Sequence, residues 1–88
     1  MNNLVVFTME GCPHCLDFKK MLKENKIDFH EMDIEKNNEE YSMFVEITKN
    51  DFVPAFMIVS EEEKPEFFTP DDNFQDLDEA ITIIKNKL

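Results

Sequence analysis

The sequence predicts one α/β domain over residues 1–88, built on a mixed four-stranded sheet with helices on both faces. Three observations predict it. Apolar runs of strand length alternate with helical periodicities in the order β-α-β-α-β-β-α. A short charged turn separates the last two strands, so at least one neighbouring pair is an antiparallel hairpin. No repeat, low-complexity stretch or linker-like segment divides the chain.

Each element has its own cause. Leu4 to Thr8 is a continuous apolar run with β-branched residues, the pattern of a strand buried on both faces. From Pro13 the period changes. Cys15, Phe18, Met21 and Leu22 share one helical face, while Asp17, Lys19, Lys20 and Lys23 fall elsewhere; Lys19 and Lys20 read as a solvated face, with a minor role near the thiolate as the alternative. Proline suits the first helical position because its φ is preset and its missing N–H is not needed there, which puts Cys12 at the N-cap. Asp28 to Ile34 alternates, with Phe29, Glu31 and Asp33 opposing His30, Met32 and Ile34, and reads as a strand. Asn37 followed by Glu40 has capping-box spacing and opens a helix over 38–49. Its apolar face is Tyr41, Phe44, Val45 and Thr48, supported by Ile47. Val53-Pro54 breaks the chain, and Ala55 to Val59 follows as an apolar strand. Ser60 to Lys64 is the charged turn, and Glu66 to Thr69 is a short strand pairing with its predecessor. Phe74, Leu77, Ile81, Ile84 and Leu88 recur at helical spacing and form the last helix, capped by Asp72 or Thr69.

Composition narrows the function classes. Nine phenylalanines and an apolar fraction of 42% supply a packed core without metal or structural disulfides. Twenty acidic residues against nine basic ones give a net charge of −11, which argues against nucleic acid and anionic membrane surfaces as partners. The acidity reads as a solubility device, with steering of a basic partner as the functional alternative. The start, Met1-Asn2-Asn3, lacks a positive n-region, and Leu4 to Phe7 is too short for a signal core or a membrane span. The expected location is cytoplasmic. In a reducing cytosol a C-x-x-C is catalytic or metal-binding rather than a structural bridge.

Both cysteines lie in the tetrad Cys12-Pro13-His14-Cys15, directly after Gly11, the only glycine of the chain. Two thiols at this spacing close a small disulfide with little backbone movement. Free thiols titrate near about pH 8.5, and a helix N-terminus or C-x-x-C pairing lowers that to between about 3.5 and 7.5. The partial positive charge of the helix start favours the thiolate of Cys12, the expected nucleophile. Cys15, one turn further in on the apolar face, is the expected resolving thiol. His14, as an imidazolium, would stabilise the Cys12 thiolate and make the disulfide more oxidising; the alternative is an exposed polar residue with little effect. Structural zinc needs four Cys or His ligands. Cys12 and Cys15 with His14 or His30 fall short, so no metal site is expected within one chain. Tyr41 and His30 read as structural.

With Val5-Val6-Phe7 ahead of it, Gly11-Cys12-Pro13-His14-Cys15 and the later Phe52-Val53-Pro54 make the sequence resemble a glutaredoxin of the thioredoxin-like fold, across essentially the whole chain. The resemblance implies that Pro54 is cis and faces the disulfide, and that Val53 offers its backbone N–H and C=O to an incoming thiol substrate as an added strand would. Three positions depart from the family. His14 stands where Tyr is usual. Met9, with Glu10 beside it, occupies the place of a Lys or Arg that meets a glutathione carboxylate. Thr69-Pro70-Asp71-Asp72-Asn73 replaces the Gly-Gly-acidic segment that receives the γ-glutamyl end. The substrate-binding set is therefore Val53, Pro54, Met9, Thr69, Asp71 and Asp72, beside catalytic Cys12, Cys15, Pro13 and His14, and the departures predict weakened glutathione binding.

What the resemblance implies is a small monomeric dithiol–disulfide oxidoreductase with no bound cofactor and glutathione as co-substrate. Its partners would be glutathione or a flavoprotein disulfide reductase, with protein disulfides as substrates, ribonucleotide reductase among them. Two rivals remain open: a thioredoxin-like electron donor recycled by a reductase protein, and a metal- or cluster-bridged binding module.

Overall fold

The run Leu4 to Thr8 is buried on both faces because its strand, β1 (Asn3–Thr8), is an inner strand with helices above and below. The computed structural model describes residues 3–61 and 64–88. Along them follow α1 (Pro13–Glu24), β2 (His30–Asp33), α2 (Asn38–Thr48), β3 (Ala55–Val59), β4 (Glu66–Phe68) and α3 (Leu77–Lys87). The sheet order is β2-β1-β3-β4. β1 runs parallel to β2, as the intervening helix requires, and antiparallel to β3, which in turn pairs antiparallel with β4. This is the mixed four-stranded α/β sheet the sequence predicts.

Alternation along β1 sorts the core into two layers. Leu4 and Val6 point to the face covered by α1 and α3, where they join Phe18, Leu22, Phe56, Ile58, Phe68, Phe74, Ile81 and Ile84. Val5 and Phe7 point to the face covered by α2 and meet Phe44 and Ala55, with Tyr41, Met57 and Phe67 half-buried around them. Phe56 is the hub of the larger layer. It stacks on Phe68 at 4.8 Å and on Phe74 at 5.5 Å, with Phe18 at 5.8 Å.

The structure departs from the sequence expectation at several points. β2 spans four residues rather than Asp28 to Ile34, because among the described residues it pairs only with β1 and the register sets its last residue, Asp33, opposite Thr8, where β1 ends. The capping box at Asn37 does not form. Asn37 stands at the N-cap of α2, but its side-chain amide donates to the Asp33 carbonyl at 3.1 Å instead. Ile47 is exposed, so the apolar face of α2 narrows to buried Phe44 with half-buried Tyr41, Val45 and Thr48. The last helix starts at Leu77 with Asp76 as its cap, not Asp72 or Thr69; the Asp76 carboxylate accepts the Glu79 N–H at 2.8 Å. Residues 69–74 are locked in a hydrogen-bonded turn, with the Asn73 N–H donating to the Thr69 carbonyl and the Asp71 N–H to the Phe74 carbonyl. Phe74 is thus a core residue of that turn and not of the helix. β4 ends at Phe68, one residue short of expectation, and the predicted turn Ser60 to Lys64 includes residues 62 and 63, which lie outside the described residues.

Since Phe56 is fully buried among three rings, Phe56→Ala should cost about 3–5 kcal/mol. Urea denaturation followed by far-UV circular dichroism measures it. A loss under about 1 kcal/mol would mean that this ring cluster does not hold α1 and the turn at 69–74 to the sheet.

Candidate active site

Strand register gathers three chain segments at one end of the sheet. Phe7 lies opposite Ala55 and Phe56 opposite Phe68. The chain leaving β1, the chain entering β3 and the chain leaving β4 therefore meet at the same edge. They carry, in turn, Cys12, Val53-Pro54 and Pro70.

Local chemistry then sets the cysteines. Gly11 adopts φ +78°, a left-handed conformation that disfavours side chains, and turns the chain from β1 into α1. The Cys12 N–H closes this turn onto the Met9 carbonyl at 3.3 Å. Cys12 is the N-cap in extended geometry, Pro13 fills the first helical position, and the Cys12 carbonyl accepts the first helical bond from Leu16 at 3.2 Å. The Cys15 N–H donates to Cys12 Sγ at 3.1 Å, so a backbone donor of the helix start is aimed at the outer sulfur. Cys12 and Cys15 form a disulfide with Cα atoms 5.2 Å apart. Cys15 is 1% exposed against 7% for Cys12, which orders them as inner and outer sulfur.

Beside the disulfide runs a groove of about 300 Å³. Val53 and Pro54 form one wall; Pro70 and Phe74 to Leu77 form the other, and the exposed His14 closes the end nearest the cysteines. The Val53–Pro54 peptide is cis, as the resemblance implies.

Of the residues the sequence singled out, His14, Val53 and Pro54 line this groove, and Cys12, Pro13 and Cys15 adjoin it through His14, their neighbour in the chain. The others do not line the groove. Thr69 is 1% exposed and its hydroxyl donates inward to Asp72 and Asn73. Asp72 accepts from Asn50 and Thr69, and Asp71 holds a left-handed turn position with an exposed side chain. Met9 is 41% exposed and contributes its carbonyl to the turn before Cys12. Gln75 and Asp76, which line the groove, escaped the sequence reading. The spacing of Asp76 and Glu79, a capping pattern, was the available signal.

Lys19 does not belong to a free solvated face. Its ammonium meets Glu31 at 2.8 Å, and the same carboxylate oxygen accepts the buried Thr8 hydroxyl at 2.7 Å. Thr8 is the last residue of β1 and Lys19 lies one turn beyond Cys15, so Glu31 ties both sides of the Cys12 loop to β2. Tyr41 donates to the Asp51 carbonyl at 2.7 Å and packs on Phe7, a structural place; burial, then the Asp51 charge, pushes its phenol up. His30 is an exposed residue of edge strand β2. Among the described residues no group of three or more His, Cys, Asp or Glu side chains is arranged to hold a metal ion, and no helix is long and apolar enough to cross a membrane.

The sequence model of the glutaredoxin family matches residues 4–61, from β1 through the disulfide and the cis-proline loop. The chain belongs to the glutaredoxin family. A glutaredoxin from Brucella melitensis solved in solution has 17% identity and a TM-score of 0.56, covering 96% of this chain and 79% of that one. A J-Trx1 fragment of ERdj5 superposes with a TM-score of 0.60 at 14% identity, covering 98% of this chain and 42% of that one. A malarial protein covers 100% of this chain and 98% of its own, at 17% identity and a TM-score of 0.56. At these identities the likeness is one of fold, and the fold is thioredoxin-like. No curated protein matches the chain. Family membership and a disulfide-forming cysteine pair support thiol–disulfide oxidoreductase chemistry.

Hydrogen bonds from Lys19 first, then Thr8, hold the Glu31 carboxyl below its ordinary value of 4.5. A depressed folded-state value stabilises the fold above the unfolded value, and that contribution is lost as pH falls through the folded one. The pair is substantially exposed, so Glu31→Gln should cost under about 1 kcal/mol at neutral pH. Urea midpoints of both proteins should converge as the pH falls below about 4. A gap that stays constant with pH would mean the charge of Glu31 is not what holds the tie.

Proposed function

We propose that the protein is a small dithiol–disulfide oxidoreductase that reduces protein disulfides or glutathione mixed disulfides. The observation that carries this is the outer sulfur of Cys12 at the N-cap of α1, receiving the Cys15 N–H with buried Cys15 bonded behind it. In the reduced form that donor and the helix start favour the Cys12 thiolate. The thiolate attacks one sulfur of the substrate disulfide. A Cys12–substrate disulfide forms, and the other substrate sulfur leaves as a thiol after taking a proton. Cys15 then gives up its proton and attacks Cys12 Sγ, closing the Cys12–Cys15 disulfide and releasing the remaining substrate thiol. Two electrons pass from the dithiol to the substrate. Val53 and Pro54 supply the wall along which the substrate chain lies, with Val53 offering backbone hydrogen bonds. His14 is exposed at the end of the groove, and an imidazolium there would favour the thiolate.

Return to the dithiol takes electrons from glutathione or from a flavoprotein disulfide reductase, and no bound cofactor is needed. A reducing cytosol and action as a monomer belong to the same proposal. The second reading, a thioredoxin-like donor recycled by a reductase protein, is favoured by two observations. Lys19, one turn beyond Cys15, has its ammonium engaged with Glu31, and Met9 stands where the family meets a glutathione carboxylate with a cation.

The test is turnover of a glutathione mixed disulfide coupled to NADPH and glutathione reductase, beside turnover of a protein disulfide coupled to thioredoxin reductase. Cys12→Ser should lower both by at least about 10³-fold. Cys15→Ser should abolish protein disulfide reduction and accumulate mixed disulfide on Cys12, while sparing the reaction with glutathione adducts. Retained activity in Cys12→Ser would sink the assignment. Activity confined to the thioredoxin reductase arm would favour the second reading.

A further inference from the structure

The two walls of the groove belong to loops far apart in sequence, and one buried side chain ties them. Asn50 follows the left-handed C-cap Lys49 of α2 and is 9% exposed. Its Oδ1 accepts the Phe52 N–H at 2.9 Å, gripping the backbone directly ahead of Val53-Pro54. Its Nδ2 donates to the Pro70 carbonyl at 2.8 Å and to Asp72 Oδ2 at 3.1 Å, gripping the opposite wall. The orientation of the amide follows from its partners. Reversed, its oxygen would face a carbonyl and a carboxylate while its NH₂ faced an N–H. The far wall is braced in turn by Thr69, whose hydroxyl donates to Asp72 and whose N–H donates to Asn73 Oδ1.

We propose that Asn50 is a positioning residue that sets the width of the groove beside the Cys12–Cys15 disulfide, and thereby favours disulfides carried on an extended polypeptide over small ones. It touches neither sulfur. It acts through Phe52 and Pro70, one residue from Val53 and within the opposite wall respectively. An extended peptide contacts both walls at once, so its binding depends on their separation. A small disulfide needs only the exposed sulfur. The proposal rests on the reading of this groove as the substrate channel.

Thiol exchange on the full chain carrying Cys15→Ser tests it without requiring turnover. Cys12 is loaded with mercaptoethanol and equilibrated against a short peptide with one central cysteine. The Cys12–mercaptoethanol bond breaks, the Cys12–peptide bond forms, and the peptide thiol's proton passes to the mercaptoethanol released. The equilibrium ratio of the two adducts, read by mass spectrometry, measures what the groove adds for a peptide. Asn50→Asp keeps the acceptor for Phe52 but sets a carboxylate against Pro70 and Asp72, and should lower the ratio about ten-fold. Adding Asp72→Asn puts a donor opposite the new acceptor and should recover most of that loss. Asp72→Ala, at an exposed turn position, removes one strand of the tie and should lower the ratio by a smaller factor; it decides the matter if Asn50→Asp does not fold. A wild-type ratio above unity that these variants leave unchanged overturns the proposal alone. So does a loss that Asp72→Asn does not recover in a folded double variant. A wild-type ratio of unity overturns the groove reading, and the proposal with it.

Discussion

The hydrogen bond from the Cys15 N–H to Cys12 Sγ is the contact on which the site depends, because it exists only if a helix starts at one particular residue. A helix leaves its first N–H groups without internal partners, and whatever atom stands at the N-cap receives them. Here that atom is a sulfur. Moving the helix start by one residue would aim the donor elsewhere. Gly11 in its left-handed turn and Pro13 at the first helical position act together to hold the start in place. The Thr8–Glu31–Lys19 tie holds the strand before the loop and the helix after it against β2.

Sheet topology supplies the other half. β3 runs antiparallel to β1, so its beginning lies at the edge where β1 ends. β4 turns back again and delivers Pro70 to the same edge. The site is thus assembled from loops that leave a rigid, doubly covered sheet, which is where a binding surface gains precision from its scaffold. The face carrying α1 and α3 brings two helix N-termini to the neighbourhood of the groove. Asp76 occupies the second of them as a cap.

Much of this was legible in the chain, and the reasons are local. A β-branched apolar run, a glycine, a cysteine and a proline in sequence announce strand, turn, N-cap and first helical turn without reference to anything distant. The element order and the two cysteine positions followed from that. What escaped depends on partners far along the chain. Lys19 looks like any solvated lysine until Glu31 is brought beside it by the parallel pairing of β1 and β2. Thr69 and Asp72 fall near the right place in sequence for site residues, yet the buried Thr69 hydroxyl and the Asp72 carboxylate are engaged with Asn73 and Asn50. Asn50 carries no periodicity and no motif, and its contacts span 20 residues to Pro70. Phe74 has helical spacing to Leu77, although its backbone belongs to the turn before Asp76, so the apolar period overruns the true start of α3.

The most direct test of the account is limited alkylation of the reduced protein. Substoichiometric iodoacetamide at neutral pH, followed by peptide mapping, reports which sulfur is the accessible thiolate. Carbamidomethylation should fall on Cys12, with Cys15 modified only once the protein is unfolded. Equal labelling of both cysteines, or preferential labelling of Cys15, would contradict the division into outer nucleophile and inner resolving thiol on which the mechanism stands.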